Sequence, residues 1–420
     1  MWTYFSEWLQ FGVRWVHVVT AIAWIGSSFY FIALDLGLRK PHGAPMAGVG
    51  GEAWQVHGGG FYHIQKYMVA PPHMPEDLTW FKWEAYSTWL SGAALLFLVY
   101  YLGADLYLID PSVADLPAWG AVLIGVAGLA LGWVVYDAIC KSPLKNNDSA
   151  LLGVLFVYVA ATSFVFSQLF SGRGAMLHTG AMIATIMSAN VAMLIIPNQK
   201  IVVADLKAGR TPDPRLGAAA KQRSLHNNYL TLPVIFLMLS NHYPLAFATQ
   251  WNWAIAGLVL LIGAFVRHFF NTMHKTGRQL WWCWAVAGLL FALVITLSGA
   301  PGWRAVPGSE PAASAAQSLD FPADPQLALA RSPLFTEASS IVQSRCSMCH
   351  ARQPLWPGLA HAPKQVYLET GRDIVLNAAL IDRQAVRSHA MPPGNLTGLE
   401  PAERLALARW IRSGDAVYRP

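Results

Sequence analysis

Eight apolar runs, each of about twenty residues or more, decide what this chain can fold into. They lie at 9–36, 84–103, 118–139, 150–170, 176–197, 229–246, 251–271 and 280–299. A bilayer core of ~30 Å is crossed by about 20 apolar residues in a helix. Backbone polar groups inside lipid must be paired within the segment, which favours helices. The runs therefore predict an all-α fold over 1–299, a polytopic bundle of about eight transmembrane helices in contact with membrane lipid. Composition agrees: 55% of residues are hydrophobic and 12% are charged, against a usual charged share of ~25%. This excludes a disordered chain, a nucleic-acid reader and a simple soluble enzyme. The net charge of +6 reads as an orientation signal rather than as affinity for an acidic partner.

Basic loops alternate with neutral or acidic ones. Arg39 and Lys40 follow the first run, Lys141 and Lys145 the third, Lys200 to Arg223 the fifth, and Lys275 and Arg278 the seventh. Asp105, Asp110 and Asp115 follow the second. The positive-inside rule places the basic loops in the cytoplasm and both termini outside, in the periplasm for a bacterial inner membrane. Met1-Trp2-Thr3-Tyr4 lacks the basic start of a cleavable signal peptide. The segment 41–83 is too long for a mere connector, and it is rich in Gly, His and aromatic residues. Residues 300–331 carry many Pro, Ala and Ser and read as a linker. Residues 332–420 are more polar and read as a small separate domain.

That last domain contains Cys346-Ser347-Met348-Cys349-His350, the C-x-x-C-H signature of c-type haem attachment. Two thioethers hold the porphyrin, and the adjacent His reaches the iron. A redox C-x-x-C is the alternative. Met391, on the Pro-rich stretch His389-Ala390-Met391-Pro392-Pro393, suits the sixth ligand because a soft thioether favours Fe(II). His389 is the competing ligand. A helix over 334–345 leads into the motif, and an amphipathic helix over 400–413 follows, with Leu405 and Trp410 on its apolar side. This order resembles a class I cytochrome c domain holding one covalent haem c. Haem attachment takes place outside the cytoplasm, where the loop charges place this domain.

Histidines mark the apolar bundle too. His17, His178 and His242 fall near its outer surface, and His226, His268 and His274 near the inner one. His57, His63 and His73 lie in the long inner segment. Ionisable groups inside a membrane are functional candidates by default, and neutral imidazole is a good haem or metal ligand. An outer set (His17, His178, His242) and an inner set (His226, His268) are candidates for holding intramembrane haem b, with copper or non-haem iron as another occupant. Interhelical hydrogen bonding is the plainer alternative. Cys140 and Cys283 read as inert buried thiols.

Three stretches carry a family resemblance. They are Trp54-Gln55-Val56-His57-Gly58-Gly59-Gly60-Phe61-Tyr62 with Lys66, Phe81-Lys82-Trp83-Glu84-Ala85-Tyr86, and His226-Asn227-Asn228-Tyr229 through Pro233 to Ser240-Asn241-His242-Tyr243-Pro244. With the C-terminal haem motif they resemble the integral-membrane urate oxidases (urate hydroxylases), over essentially the whole chain. The resemblance implies oxidation of urate to 5-hydroxyisourate. Electrons would pass to cytochrome c and on to a terminal oxidase, without hydrogen peroxide as product. Urate is a planar, electron-rich anion, so its site calls for a cation, aromatic rings and a proton acceptor. His57, Lys66, Lys82 and Glu84 are the candidate catalytic residues, with His63, Phe61, Tyr62 and Trp83 beside them. Gly58-Gly59-Gly60 permits backbone N–H groups to face an anion. A non-catalytic electron-transfer subunit of a respiratory complex is the other reading.

Overall fold

The computed structural model describes residues 2–42, 48–67, 71, 74–110, 113–247, 249–299, 329–352, 354–356, 359 and 362–413. His73 and residues 300–328 of the expected linker lie outside the described residues.

All eight apolar runs fall on helices. In chain order these are α1 (Trp2–Gly37), α2 (Trp83–Leu95, continued by a π-helical turn Leu96–Tyr101), α3 (Ala104–Tyr107), α4 (Ala118–Lys141) and α5 (Asp148–Leu169). Then come α6 (Gly172–Ala189, continued by a π-helical turn Asn190–Ile195), α7 (Ile196–Lys207), α8 (Pro214–Ser240), α9 (Pro244–Phe247), α10 (Asn252–Thr276) and α11 (Trp282–Gly299). Among the described residues, five helical stretches are long and apolar enough to cross a membrane: Trp8–Gly37, Ala118–Lys141, Asp148–Leu169, Gly172–Lys207 and Asn252–Thr276. The run at 229–246 is cut short because α8 ends at Ser240, four residues before Pro244. Proline disfavours helix in the residue before it and supplies no N–H to continue the ladder.

Local chemistry sets the helix starts. Asn147 caps α5 by accepting from Ala150 N at 3.0 Å, and Ser171 caps α6 by accepting from Gly174 N at 3.0 Å. Asp213 caps α8, whose first residue is Pro214. The central helix is α6, which packs on α2, α4, α5 and α8. Met182, Ile183 and Ile186 on it are almost wholly buried, with Leu155, Leu237 and Ile255 in the same core.

Two expectations need correction. The fold is not purely helical: within 41–83, β1 (Val49–His57) and β2 (Gly60–Tyr67) form an antiparallel hairpin, with His57 opposite Gly60. Gly58 (φ 58°) and Gly59 (φ 79°) make its tight turn, which needs positive φ at both positions. These glycines therefore serve the hairpin. The second correction concerns the stretch 198–228, which is mostly helix. Lys200 and Lys207 ride on α7, and Arg215, Lys221 and Arg223 on α8, leaving 208–213 as the connection. Ala, Leu and long charged side chains are good helix formers, so the charge count there concealed a continuous helical pattern.

After the linker, α12 (Phe335–Arg345), α13 (Ser347–His350), α14 (Gly371–Leu376), α15 (Ala378–Ile381, continued by a π-helical turn Asp382–Arg387) and α16 (Pro401–Ser413) surround a second core. Trp410 is its largest fully buried side chain, stacking at a tilt on Phe335 and donating Nε1–H to Leu329 O at 3.0 Å. Leu405, expected on the apolar side of α16, is exposed; Leu407 is buried instead. Arg345 ties α12 to α16 through Glu403 at 3.0 Å and to Thr397 O at 2.9 Å.

The two cores touch. Ala390 is buried against the first core, alongside Leu108 and Ile109 at the end of α3. Gly394, at φ 53°, sits so close to α3 that a Cβ there would stand 2.4 Å from Ile109 O. Ser171 N in turn donates to Leu108 O at 2.8 Å, bolting the same segment to the start of α6.

Candidate functional site

The C-terminal core carries the haem-type donor set. Cys346 and Cys349 are free, half-buried thiols. A redox C-x-x-C depresses a thiol pKa; here burial pushes Cys346 up to about 12 and raises Cys349 as well. His350 Nδ1 lies 2.9 Å from Val366 O, an arrangement that fixes the ring and leaves Nε2 for a metal. Met391 is half-buried against the second core, while His389 is exposed. Arg404, buried on α16, donates to Met391 O at 2.9 Å, to Asn395 Oδ1 at 3.2 Å and to Ala385 O. One guanidinium thus holds the backbone at Ala385 and at Met391 itself, and the Asn395 side chain beyond it. The donor set fits a covalently attached haem.

The expected catalytic residues are scattered. His57 is exposed at the hairpin turn. Lys66, on β2, is paired with Asp35 of α1. Lys82 lies 5.8 Å from the centre of the Trp83 ring at the entrance to α2, the arrangement of an interface anchor. Glu84 alone points inward: its Oε2 is buried with no hydrogen-bond partner. On the hairpin the organised group is Glu52. It accepts from His42 N at 2.9 Å and meets His63 Nε2 at 2.8 Å, and these contacts, the backbone one first, hold its carboxyl below the usual range.

The histidines of the bundle are likewise apart. His17 Nδ1 lies 3.0 Å from Thr88 O and 3.1 Å from Ser91 Oγ, between α1 and α2. His178 Nδ1 lies 2.9 Å from Gly174 O and its Nε2 3.3 Å from Tyr101 OH. His17 contacts α2 at Gly92 and His178 contacts it at Tyr101. Nine residues, about 13 Å of helix, separate these two contact points along the backbone. His242 and His268 are exposed, and His226 faces α4. Among the described residues no group of three or more His, Cys, Asp or Glu side chains is placed to hold a metal ion. His17, His178 and His226 thus each stand against different partners.

A different constellation lies around His226. Its Nδ1 is 2.8 Å from Tyr136 OH, which accepts from Asn190 Nδ2 at 3.0 Å. Asn190 Nδ2 also reaches Asn227 Oδ1 at 3.0 Å, and Asn227 Nδ2 donates to Met187 O at 3.0 Å. Arg223, with its side chain 2% exposed, donates Nη2–H to Asp137 Oδ1 at 2.7 Å and lies over the Tyr136 ring at 4.9 Å. Lys141 takes the other Asp137 oxygen at 2.6 Å. On the far side of α8, Asn228 Oδ1 accepts from Arg267 at 3.2 Å and Asn271 at 3.0 Å. Arg223 Nη1 and Asn228 Nδ2 are buried without a partner.

Sequence reasoning singled out His226, Asn227 and Asn228 but passed over Tyr136, Asp137, Asn190, Arg223, Arg267 and Asn271. A signal existed for Asp137 and Arg267, since each is a charge inside an apolar run. Arg223 had none, because it read as one more base of an inner loop.

No curated protein and no solved structure matches the chain. A family model described as "Urate oxidase N-terminal" matches residues 3–298. That span takes in α1 to α11, the hairpin and the buried polar constellation, so the chain belongs to the urate oxidase N-terminal family.

Proposed function

We propose that this chain is a multi-pass membrane enzyme that oxidises urate to 5-hydroxyisourate and delivers the electrons to a haem c on its own C-terminal unit. The family supports an oxidoreductase acting on urate. The observation that carries the rest is the seat of the Met391 loop on Leu108 and Ile109. It brings the expected ligand loop of an electron acceptor against the domain that meets urate. In this reading about eight helices span a bacterial inner membrane, residues 332–420 form a periplasmic cytochrome c domain, and a soluble cytochrome c or terminal oxidase takes the electrons onward.

Urate monoanion and water give neutral 5-hydroxyisourate, one proton and two electrons. Haem c supplies a one-electron acceptor when bound through Cys346 and Cys349, with His350 and Met391 as ligands. The protein's own task is to bind the anion, hold it against water and take the proton. His226, linked to Tyr136, is the buried base suited to the proton. His17, His178, His242 and His268 are the residues that would hold an intramembrane haem b, which would carry electrons from the inner end of the bundle, where His226 lies, towards the periplasmic unit.

Anaerobic urate should bleach the oxidised haem spectrum of the intact protein, and aerobic turnover in membranes should yield no stoichiometric peroxide. If urate leaves the spectrum oxidised while a quinol reduces it, the chain is an electron-transfer subunit instead. Topology has its own check. A reporter active only in the periplasm should work when fused after Pro420 and fail when inserted at Gly209. The reverse pattern would overturn the orientation.

A further inference from the structure

The hairpin of β1 and β2 runs back along α1. Arg39, just beyond that helix, and Glu52 exchange two backbone hydrogen bonds of 2.9 Å. Lys66 pairs with Asp35, and Tyr30 OH donates to Gln55 Oε1 at 2.6 Å. The attachment points thus move from Arg39 through Asp35 to Tyr30, towards the N-terminal end of α1. The level of Tyr30 is also the level at which the second apolar run begins. The Phe31 ring meets the Phe81 ring at 4.6 Å, and Trp83 opens α2 beside the Lys82 anchor. Val56, His57 and Gly58 continue past Gln55 by about 10 Å. The turn therefore lies on the bundle side of the level at which α2 enters.

The chemistry of the hairpin changes in the same direction. Glu52, at the base, is held by His42 N and His63 Nε2. From Ala53 to Gln65 there is no Asp, Glu, Lys or Arg. Gln55 and Lys66 turn one face to α1; the opposite face carries Trp54 across from His63 and Val56 across from Phe61. Trp54 is 64% exposed, Val56 68% and Phe61 78%. In water such a face invites aggregation, and a two-stranded hairpin alone is marginally stable.

We propose that the hairpin turn is a membrane anchor, with Trp54, Val56 and Phe61 seated among phospholipids of the leaflet that α2 enters. The inference rests on reading the bundle as membrane-spanning and adds a non-helical contact with lipid. Phospholipid is the occupant because the face is continuous with the exposed rings of Phe31, Phe81 and Trp83 at the mouth of α2. Aromatic side chains favour that boundary. Open strand edges are excluded from the hydrocarbon core, so the turn stops at its margin. The overhang of about 10 Å matches the roughly 5–10 Å by which amphipathic elements enter the headgroup–acyl boundary.

The test replaces Phe61, or in a second variant Val56, by the photocrosslinker p-benzoylphenylalanine in the full chain. Each variant is reconstituted in vesicles of phosphatidylethanolamine and phosphatidylglycerol that contain an alkyne-tagged phospholipid. The same replacement at Leu131, exposed on α4, gives the lipid-facing reference, and at Leu405, exposed on α16, the water-facing one. After irradiation, tagged lipid on the full-length band is read on a denaturing gel. Label at Phe61 and Val56 should approach that at Leu131 and exceed that at Leu405 roughly ten-fold. Label no higher than at Leu405 in both hairpin variants, with Leu131 labelled, overturns the anchor while the membrane reading stands. A covalent dimer in place of a lipid adduct overturns it in favour of a second copy of the chain. Absence of label at Leu131 as well overturns the membrane reading and the anchor together.

Discussion

Combining Cys346→Ala with Cys349→Ala should remove covalent haem completely: the full-length band on a denaturing gel loses its haem peroxidase stain. Both thiols are free and half-buried, Cys346 packs against the second core, and His350 follows Cys349 in the chain with Nδ1 held by Val366 O. Thioether bonds survive denaturation and axial ligation does not, so the stain reports the cysteines alone. His350→Ala should keep the stain and change the visible spectrum, which separates attachment from ligation. A stained band in the double alanine variant would end the haem c assignment, and with it the acceptor in the proposed function.

Asp137→Ala should be the most damaging single change in the membrane unit. It strands Arg223, whose side chain is 2% exposed, and deprives Lys141 of its partner. Removing one member of a buried ion pair costs about 3–5 kcal/mol, because the remaining charge stays desolvated. Thermal unfolding of the detergent-solubilised protein should shift strongly downward, and expression should fall. Asp137→Asn together with Arg223→Gln should recover most of that stability. A stability equal to wild type in Asp137→Ala would mean that water reaches Arg223 and that the pair is not buried.

The helices were legible because length and apolarity act locally: a twenty-residue run reads the same in any fold. The hairpin at Val49–Tyr67 was not, although its Gly58-Gly59 turn was noted. Its residues mix Gly, His and aromatics without clean alternation, and its Trp54, Val56 and Phe61 are exposed in the structure. The haem-type motif was legible because its chemistry is contiguous. The constellation on α8 was not, because Tyr136, Asn190 and Arg223 come together only through the packing of α4, α6 and α8. Lys66 and Lys82 carried the right charge for urate, but each is a local partner, to Asp35 and to the Trp83 ring. Distance along the chain hid the residues that pack together on α8, while the contacts of Lys66 and Lys82 join other neighbours.

The π-helical turn at Asn190–Ile195 amounts to one extra residue in an otherwise continuous rod. It lets α6 and α7 run on as a single stretch from Gly172 to Lys207 while their faces are out of phase. Deleting any one residue there would restore ordinary winding and swing everything beyond it by about 100°. Ile196, now buried beside Ala85 and Val191, would turn away from α2. Length at this point is therefore a phase setting. A chain one residue shorter would not present the same face on a shorter helix; it would present a different face.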